Sequence, residues 1–90
     1  MRIRYLIWDD WNLEHIAEHG VTPEEVKEAC YSKQCWNRRG RKGRRYILGQ
    51  TEDGRYLSII LASREGGAFY TITARDMDEK ERRLYRKWRG

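Results

Sequence analysis

Proline occurs once in this 90-residue chain, cysteine twice, and no apolar run approaches the length of a membrane span. Each scarcity excludes something. A span needs roughly 20 predominantly apolar residues, and no signal-peptide pattern opens the chain, so a cytoplasmic protein is expected. Two cysteines are too few for a disulfide scaffold; Cys30 reads as a buried thiol and Cys35 as an incidental one. With hydrophobic residues at 39% and charged residues at 37% beside a single proline, the composition suits a compact fold better than a disordered tail. Acidic residues are missing altogether from 33 to 50, where seven basic ones stand.

What is present is polarised. The net charge of +5 divides into −4 over residues 1–32, +7 over 33–50, −1 over 51–74 and +3 over 75–90. Two basic blocks separated by an almost neutral stretch could converge on one face, which would draw polyanions by steering and counterion release. The run 37–45 packs six cations into nine residues, which repel one another unless an anion is bound. From it Arg38, Arg39, Arg41, Lys42, Arg44 and Arg45 are taken as backbone-phosphate contacts, with Trp36 beside them as a base-stacking candidate.

Ninety residues bury only about 60 to 65% of the unfolded surface, enough for one domain, residues 1–90, with one modest core. Alternation of Ile3, Tyr5 and Ile7 with Arg2 and Arg4 predicts a first strand. Asp9 or Asp10 can cap a first helix with Leu13, Ile16 and Ala17 inward, stopped by Gly20. Thr22, Pro23 and Glu25 open a second helix with a capping box; Val21 and Val26 form its staple, and Val26, Ala29 and Cys30 its inner stripe. After a basic loop, strands at Tyr46–Gln50 and Tyr56–Leu61 flank an Asp53-Gly54 turn. A further strand runs from Phe69 to Arg75, with Tyr70, Ile72 and Ala74 inward. Asp76 can cap a final helix that docks through Leu84, Tyr85 and Trp88. The expected fold is α+β, in the order β-α-α-β-β-β-α, with an antiparallel sheet packed against helices.

Chemistry concentrates where the last strand meets that helix. Arg75 at a strand end would be a positioned guanidinium for phosphate, with Arg82 approaching from the helix, although Arg75 could equally pair with Asp76, Asp78 or Glu81. Tyr85 could move a proton but falls beside Leu84 on the inward side, where core packing competes. His15 and His19 stand four apart on the first helix, a spacing that can bind metal. No third ligand is evident, so neither a metal nor another cofactor is expected.

Trp8-Asp9, His19-Gly20-Val21, Arg45 to Gly49, Asp53-Gly54-Arg55, Ile72-Thr73-Ala74-Arg75 and Glu81-Arg82-Arg83-x-Tyr85 together resemble the BrnT family of bacterial toxins, within the RelE-like ribonuclease superfamily. The resemblance runs roughly from Tyr5 to Tyr85. His15 stands where the family pattern has asparagine. The resemblance implies a RelE-like domain, cleavage of RNA either free or on the ribosome, and translation inhibition. It also implies neutralisation by an adjacent DNA-binding antitoxin like BrnA, in a dimer or a heterotetramer with two copies of each chain. His19 is the family-matched titrating group, able to act as acid or base near neutrality, though a histidine ending a helix can simply cap carbonyls.

Three classes of function follow: an RNA endonuclease toxin, a nucleic-acid-binding module without catalysis, and a basic domain that receives an acidic protein. Composition and charge support the second as well as the first, because they report phosphate affinity and not turnover.

Overall fold

The computed structural model describes residues 2–90. Five strands, β1 (Tyr5–Ile7), β2 (Trp36–Arg39), β3 (Arg44–Gln50), β4 (Tyr56–Ser63) and β5 (Ala68–Asp76), form one sheet in the order β1-β5-β4-β3-β2. Helices α1 (Asp10–Glu18) and α2 (Pro23–Tyr31) follow β1, and α3 (Glu79–Arg89) follows β5. The fold is α+β in the expected order, with β2 added. Residues expected as loop, Trp36–Arg39, pair with Arg45–Leu48 as an edge strand, since a turn at 41–43 folds the basic run back on itself.

The sheet is mixed rather than wholly antiparallel. β1 runs parallel to β5, with Tyr5 opposite Ala68, while every other pair is antiparallel. Parallel neighbours need a long crossover, and the whole chain between β1 and β5 supplies it. All three helices start with reciprocal capping boxes: Asp9 with Asn12, Thr22 with Glu25, and Asp78 with Glu81. Asp78, not Asp76, therefore caps α3. The Asp78 and Glu81 spacing fits the box; Asp76 is still in the strand and pairs with Arg55.

One face of the sheet, here the inner face, carries the main core. Ile47, Leu57, Ile59, Leu61, Phe69 and Ala74 meet Ile16 from α1 and Val26, Ala29 and Cys30 from α2, with Val21 between the helices. Gly49 brings α2 close: a Cβ there would lie 2.5 Å from the Ala29 carbonyl oxygen. The opposite, outer face is covered at one end only, where Tyr85 of α3 packs on Leu48 and Met77, flanked by Trp36 and Tyr56.

Several side chains expected inside lie outside. Tyr5, Leu13, Ala17, Leu84 and Trp88 are exposed. α1 is rotated relative to its apolar pattern because Asn12, completely buried, turns inward to satisfy backbone groups, and only Ile16 of the expected stripe follows it. On α3 a single large side chain, Tyr85, fills the space under the helix, leaving Leu84 and Trp88 on its flank.

The strand β5 contains a bulge. Ile60 pairs with Thr73 but the next residue, Leu61, pairs with Thr71, so Ile72 is an extra residue with no partner. A bulge reverses the alternation beyond it. Thr71 and Ala74 are thus both fully buried, whereas Tyr70 and Ile72 stay half exposed, unlike the expected pattern. Thr73 and Arg75 are re-aimed onto the outer face.

Candidate nucleic-acid interface

Residues directly opposite in a ladder share a face of the sheet, so the pairing register reads out the outer face row by row. One row is Arg38, Tyr46, Ile60 and Thr73; the next is Trp36, Leu48, Ser58 and Arg75. Helix α3 covers the second row and leaves the first open: Tyr46, Ile60 and Thr73 are half exposed and Arg38 is exposed. An isoleucine on the central strand that no helix covers marks this surface as a shallow floor. Four strands at about 4.8 Å spacing put Arg38 and Thr73 on opposite sides of it, roughly 14 Å apart.

On the β2 side, the Arg38 guanidinium lies over the Tyr46 ring, 5.3 Å from its centroid. Stacking on a ring holds the side chain while leaving its donors free. Gly40 supports the same ring, since a Cβ there would collide with it.

On the β5 side, α1 takes over the edge that β1 leaves bare. The Asn12 amide donates to the Ile7 carbonyl at 2.9 Å and the Thr71 carbonyl at 3.1 Å, and its oxygen accepts the Asp9 N–H at 2.8 Å. This locks the start of α1 to β5 just before the bulge. One turn on, His15 Nε2 lies 3.1 Å from Thr73 Oγ1, with Trp11 stacked on the imidazole at 5.0 Å and His19 edge-on at 5.5 Å. Tyr70, also on this face, donates to the Asp9 carboxylate at 2.9 Å, beneath the Arg64 guanidinium. The Asn12 N–H and the Tyr70 hydroxyl hold Asp9 below the usual carboxylate range.

At the α3 end, Arg75 donates to Glu81 from both terminal guanidinium nitrogens, at 2.9 and 3.1 Å, and from Nη1 also to the Asp76 carbonyl. Glu81 additionally accepts from Ser58 Oγ and from the Asp78 N–H. Arg75 is therefore an ion-paired clamp between β5 and α3, one of the alternatives its sequence position allowed, and two of its nitrogens are already engaged. Arg82 differs: its guanidinium lies 4.9 Å over the Tyr56 ring, and its Nε is buried without any hydrogen-bond partner. Arg86 approaches the same ring at 5.7 Å.

The remaining sequence candidates divide clearly. Tyr85 is fully buried and donates to the Gln34 carbonyl at 2.6 Å; burial raises its phenol above the ordinary range, so it is a core residue rather than a proton donor to substrate. Trp36 packs half-buried in the same small core and is not free to stack. His19 caps α1, its carbonyl accepting from Arg55, and its ring reaches the open face only through His15. The basic run does not converge on one face. Arg38 and Arg44 share the outer face, Arg39 and Arg45 point to the inner one, and Arg41 and Lys42 sit at the turn.

His15, Thr73 and Tyr46 are the members that sequence reasoning left out of the site. The His15 and His19 spacing drew notice only as metal-ligand geometry, and among the described residues no three His, Cys, Asp or Glu side chains are grouped to hold a metal. The signal that would have found His15 is the bulge, which no periodicity reveals. The chain matches no protein-family model and no curated protein. Among the described residues no helix is long and apolar enough to cross a membrane.

Proposed function

We propose that this protein is a cytoplasmic RNA endonuclease, the toxin of a type II toxin-antitoxin system, as its resemblance to BrnT and the RelE-like ribonucleases implies. The observation that carries the reading is the open outer face, where a free guanidinium on an aromatic ring and an imidazole held by a threonine flank one shallow floor. Single-stranded RNA needs little else, because it brings its own nucleophile.

A phosphodiester lying on the Tyr46 and Ile60 floor would have Arg38 on one side and His15 on the other. His15 removes the proton from the 2′-hydroxyl, the 2′-oxygen bonds to phosphorus, and the bond to the 5′-oxygen breaks. The departing 5′-oxygen takes a proton from water on this open face, leaving a 2′,3′-cyclic phosphate and a 5′-hydroxyl end, and the protonated His15 returns its proton to solvent. General base action of this kind contributes about 10²- to 10⁴-fold. The Arg38 guanidinium stabilises the charge that develops on the phosphoryl oxygens, and Arg75 adds to its field while fixing the wall of the site; Arg82, seated over Tyr56 across α3 from the floor, contributes only to the positive field. Neutralisation by a BrnA-like antitoxin would then proceed by covering this face, with RNA and antitoxin competing.

A binding module without turnover is the second reading, favoured by the engagement of Arg75 with Glu81. Induced expression in a bacterial host, with growth and the 5′ ends of RNA followed together, separates the two. The endonuclease reading requires growth arrest with new 5′-hydroxyl ends that disappear in the His15→Ala protein; RNA binding with no new ends would favour the module.

A further inference from the structure

Beyond the outer face, a second cationic cleft of about 330 Å³ opens at the tip of the β2–β3 hairpin, lined by Arg39, Gly40, Gly43, Arg44, Arg45, Ser63 and Phe69. We propose that this cleft is a separate phosphate site, built to hold a nucleotide phosphate by Arg39 and Arg45 on the side of the sheet away from His15.

Three observations converge on it. No acidic residue lines the cleft, and the side chains of Arg39, Arg44 and Arg45 take part in none of the hydrogen bonds or ion pairs among the described residues. By contrast, Arg55 and Arg75 are both paired with carboxylates. Secondly, Arg39 and Arg45 stand directly opposite each other in the β2–β3 ladder. Like charges in that position repel, so the hairpin gains when an anion enters between them. Thirdly, the turn is shaped at a conformational cost. Lys42 takes the left-handed backbone that favours glycine, with φ 55, and Gly43 follows at φ 73. A strained non-glycine residue of this kind persists where the surroundings impose it, and such residues cluster at binding sites.

The volume is near the lower end of small-ligand sites, enough for a phosphate with part of its sugar. Two guanidiniums can each present paired N–H donors to phosphate oxygens. With Arg39 and Arg45 engaged on phosphate oxygens and Phe69 almost wholly buried, the contacts fall on the backbone rather than on base edges, so binding should ignore sequence. On the endonuclease reading, the owner of the phosphate is an RNA strand that passes round the β2 edge from the outer face; that identity alone rests on the reading. A free phosphate or mononucleotide would be held by the same donors.

The test uses the whole chain, labelled with ¹⁵N, titrated first with inorganic phosphate and then with a single-stranded oligoribonucleotide. The site predicts saturable amide shifts at Gly40, Gly43 and Ser63 with phosphate, lost in Arg39→Gln/Arg45→Gln. For the oligoribonucleotide, the slope of log affinity against log salt should flatten by about 1.4 in that variant, 0.7 for each lost contact. Arg83→Gln/Lys87→Gln removes equal charge from the exposed surface of α3, outside the lining, and must keep the phosphate shifts. Unshifted cleft amides, or equal losses in both double variants, overturn the site. Phosphate shifts without oligoribonucleotide binding keep the site as one for free phosphate or mononucleotide while counting against the RNA reading. An unchanged far-UV spectrum and melting temperature in the variants verify their fold.

Discussion

His15 Nε2 lies 3.1 Å from Thr73 Oγ1, joining the middle of α1 to the residue of β5 that follows the bulge. The contact depends on the bulge at Ile72: were β5 to alternate regularly through Ile72, Thr73 would share the inner face with Thr71. Its consequence is a titratable ring fixed at the margin of an open, cationic sheet face.

His15→Ala should lower RNA cleavage by about 10²- to 10⁴-fold, the range of a lost general base. His19→Ala should reduce it by only a few fold, because that ring touches the face through His15. Thr73→Val should fall between them, since the imidazole remains but its orientation is released. Rates measured at saturating RNA across pH 5 to 9 check the order; His19→Ala as the most damaging change would reverse the assignment.

The Arg75 and Glu81 pair predicts that Arg75→Ala loses stability as well as activity, contrary to what a free strand-end arginine would show. Glu81→Ala removes the α3 capping box and the acceptor of Ser58 and Arg75 together, and should cost about 1 to 2 kcal/mol. Urea unfolding of the two single variants and the double variant gives the coupling between them. Because both side chains are partly exposed, a coupling near 1 kcal/mol is expected, and additive losses would show that the pair contributes nothing.

Thr71 and Asn12 make opposite predictions although both are fully buried. The Thr71 hydroxyl has no partner, so Thr71→Val exchanges an unpaired polar group for a methyl of similar size and should be neutral or stabilising by up to about 1 kcal/mol. Asn12→Ala strands the Ile7 and Thr71 carbonyls and the Asp9 N–H, and should cost about 2 to 4 kcal/mol. Thermal melts of the two proteins should therefore move in different directions.

These two residues also show where sequence reasoning reaches its limit. The helix starts at Thr22 and the stop at Gly20 were legible because capping chemistry is local, and the long apolar strands because alternation is. Asn12 reads as a helix-surface residue until β5 is placed beside it. The burial of Thr71 and the outward aim of Thr73 both depend on one inserted residue, which breaks period 2 without altering composition. Arg75 was legible as a charge at a strand end; which acid it meets depended on the angle at which α3 leaves the sheet.

Acid should unfold the protein through its bonded carboxylates. Hydrogen bonding to Arg55 holds Asp76 below its ordinary 3.8. Glu25, although desolvation opposes it, is held below 4.5 by the Thr22 N–H and Arg55. A depressed folded-state pKa contributes stability at pH above the unfolded value, and that contribution fades as pH falls through the folded one. The stability difference between the parent and Arg55→Ala should thus be full above about pH 5 and shrink below pH 4. Arg55 also donates to the Gly20 carbonyl at 2.7 Å, so a residual difference should survive in acid. Urea midpoints at pH 7 and pH 3 suffice; a difference that grows in acid would contradict the sign.

The most direct measurement of the central claim is the fate of a single-stranded RNA incubated with purified protein, with and without ribosomes, and with its ends identified. The account predicts 2′,3′-cyclic phosphate and 5′-hydroxyl ends, no cleavage where one 2′-hydroxyl is replaced by hydrogen at the scissile position, and near-complete loss in His15→Ala. Intact RNA under both conditions, 5′-phosphate ends, or undiminished cleavage by His15→Ala would contradict it.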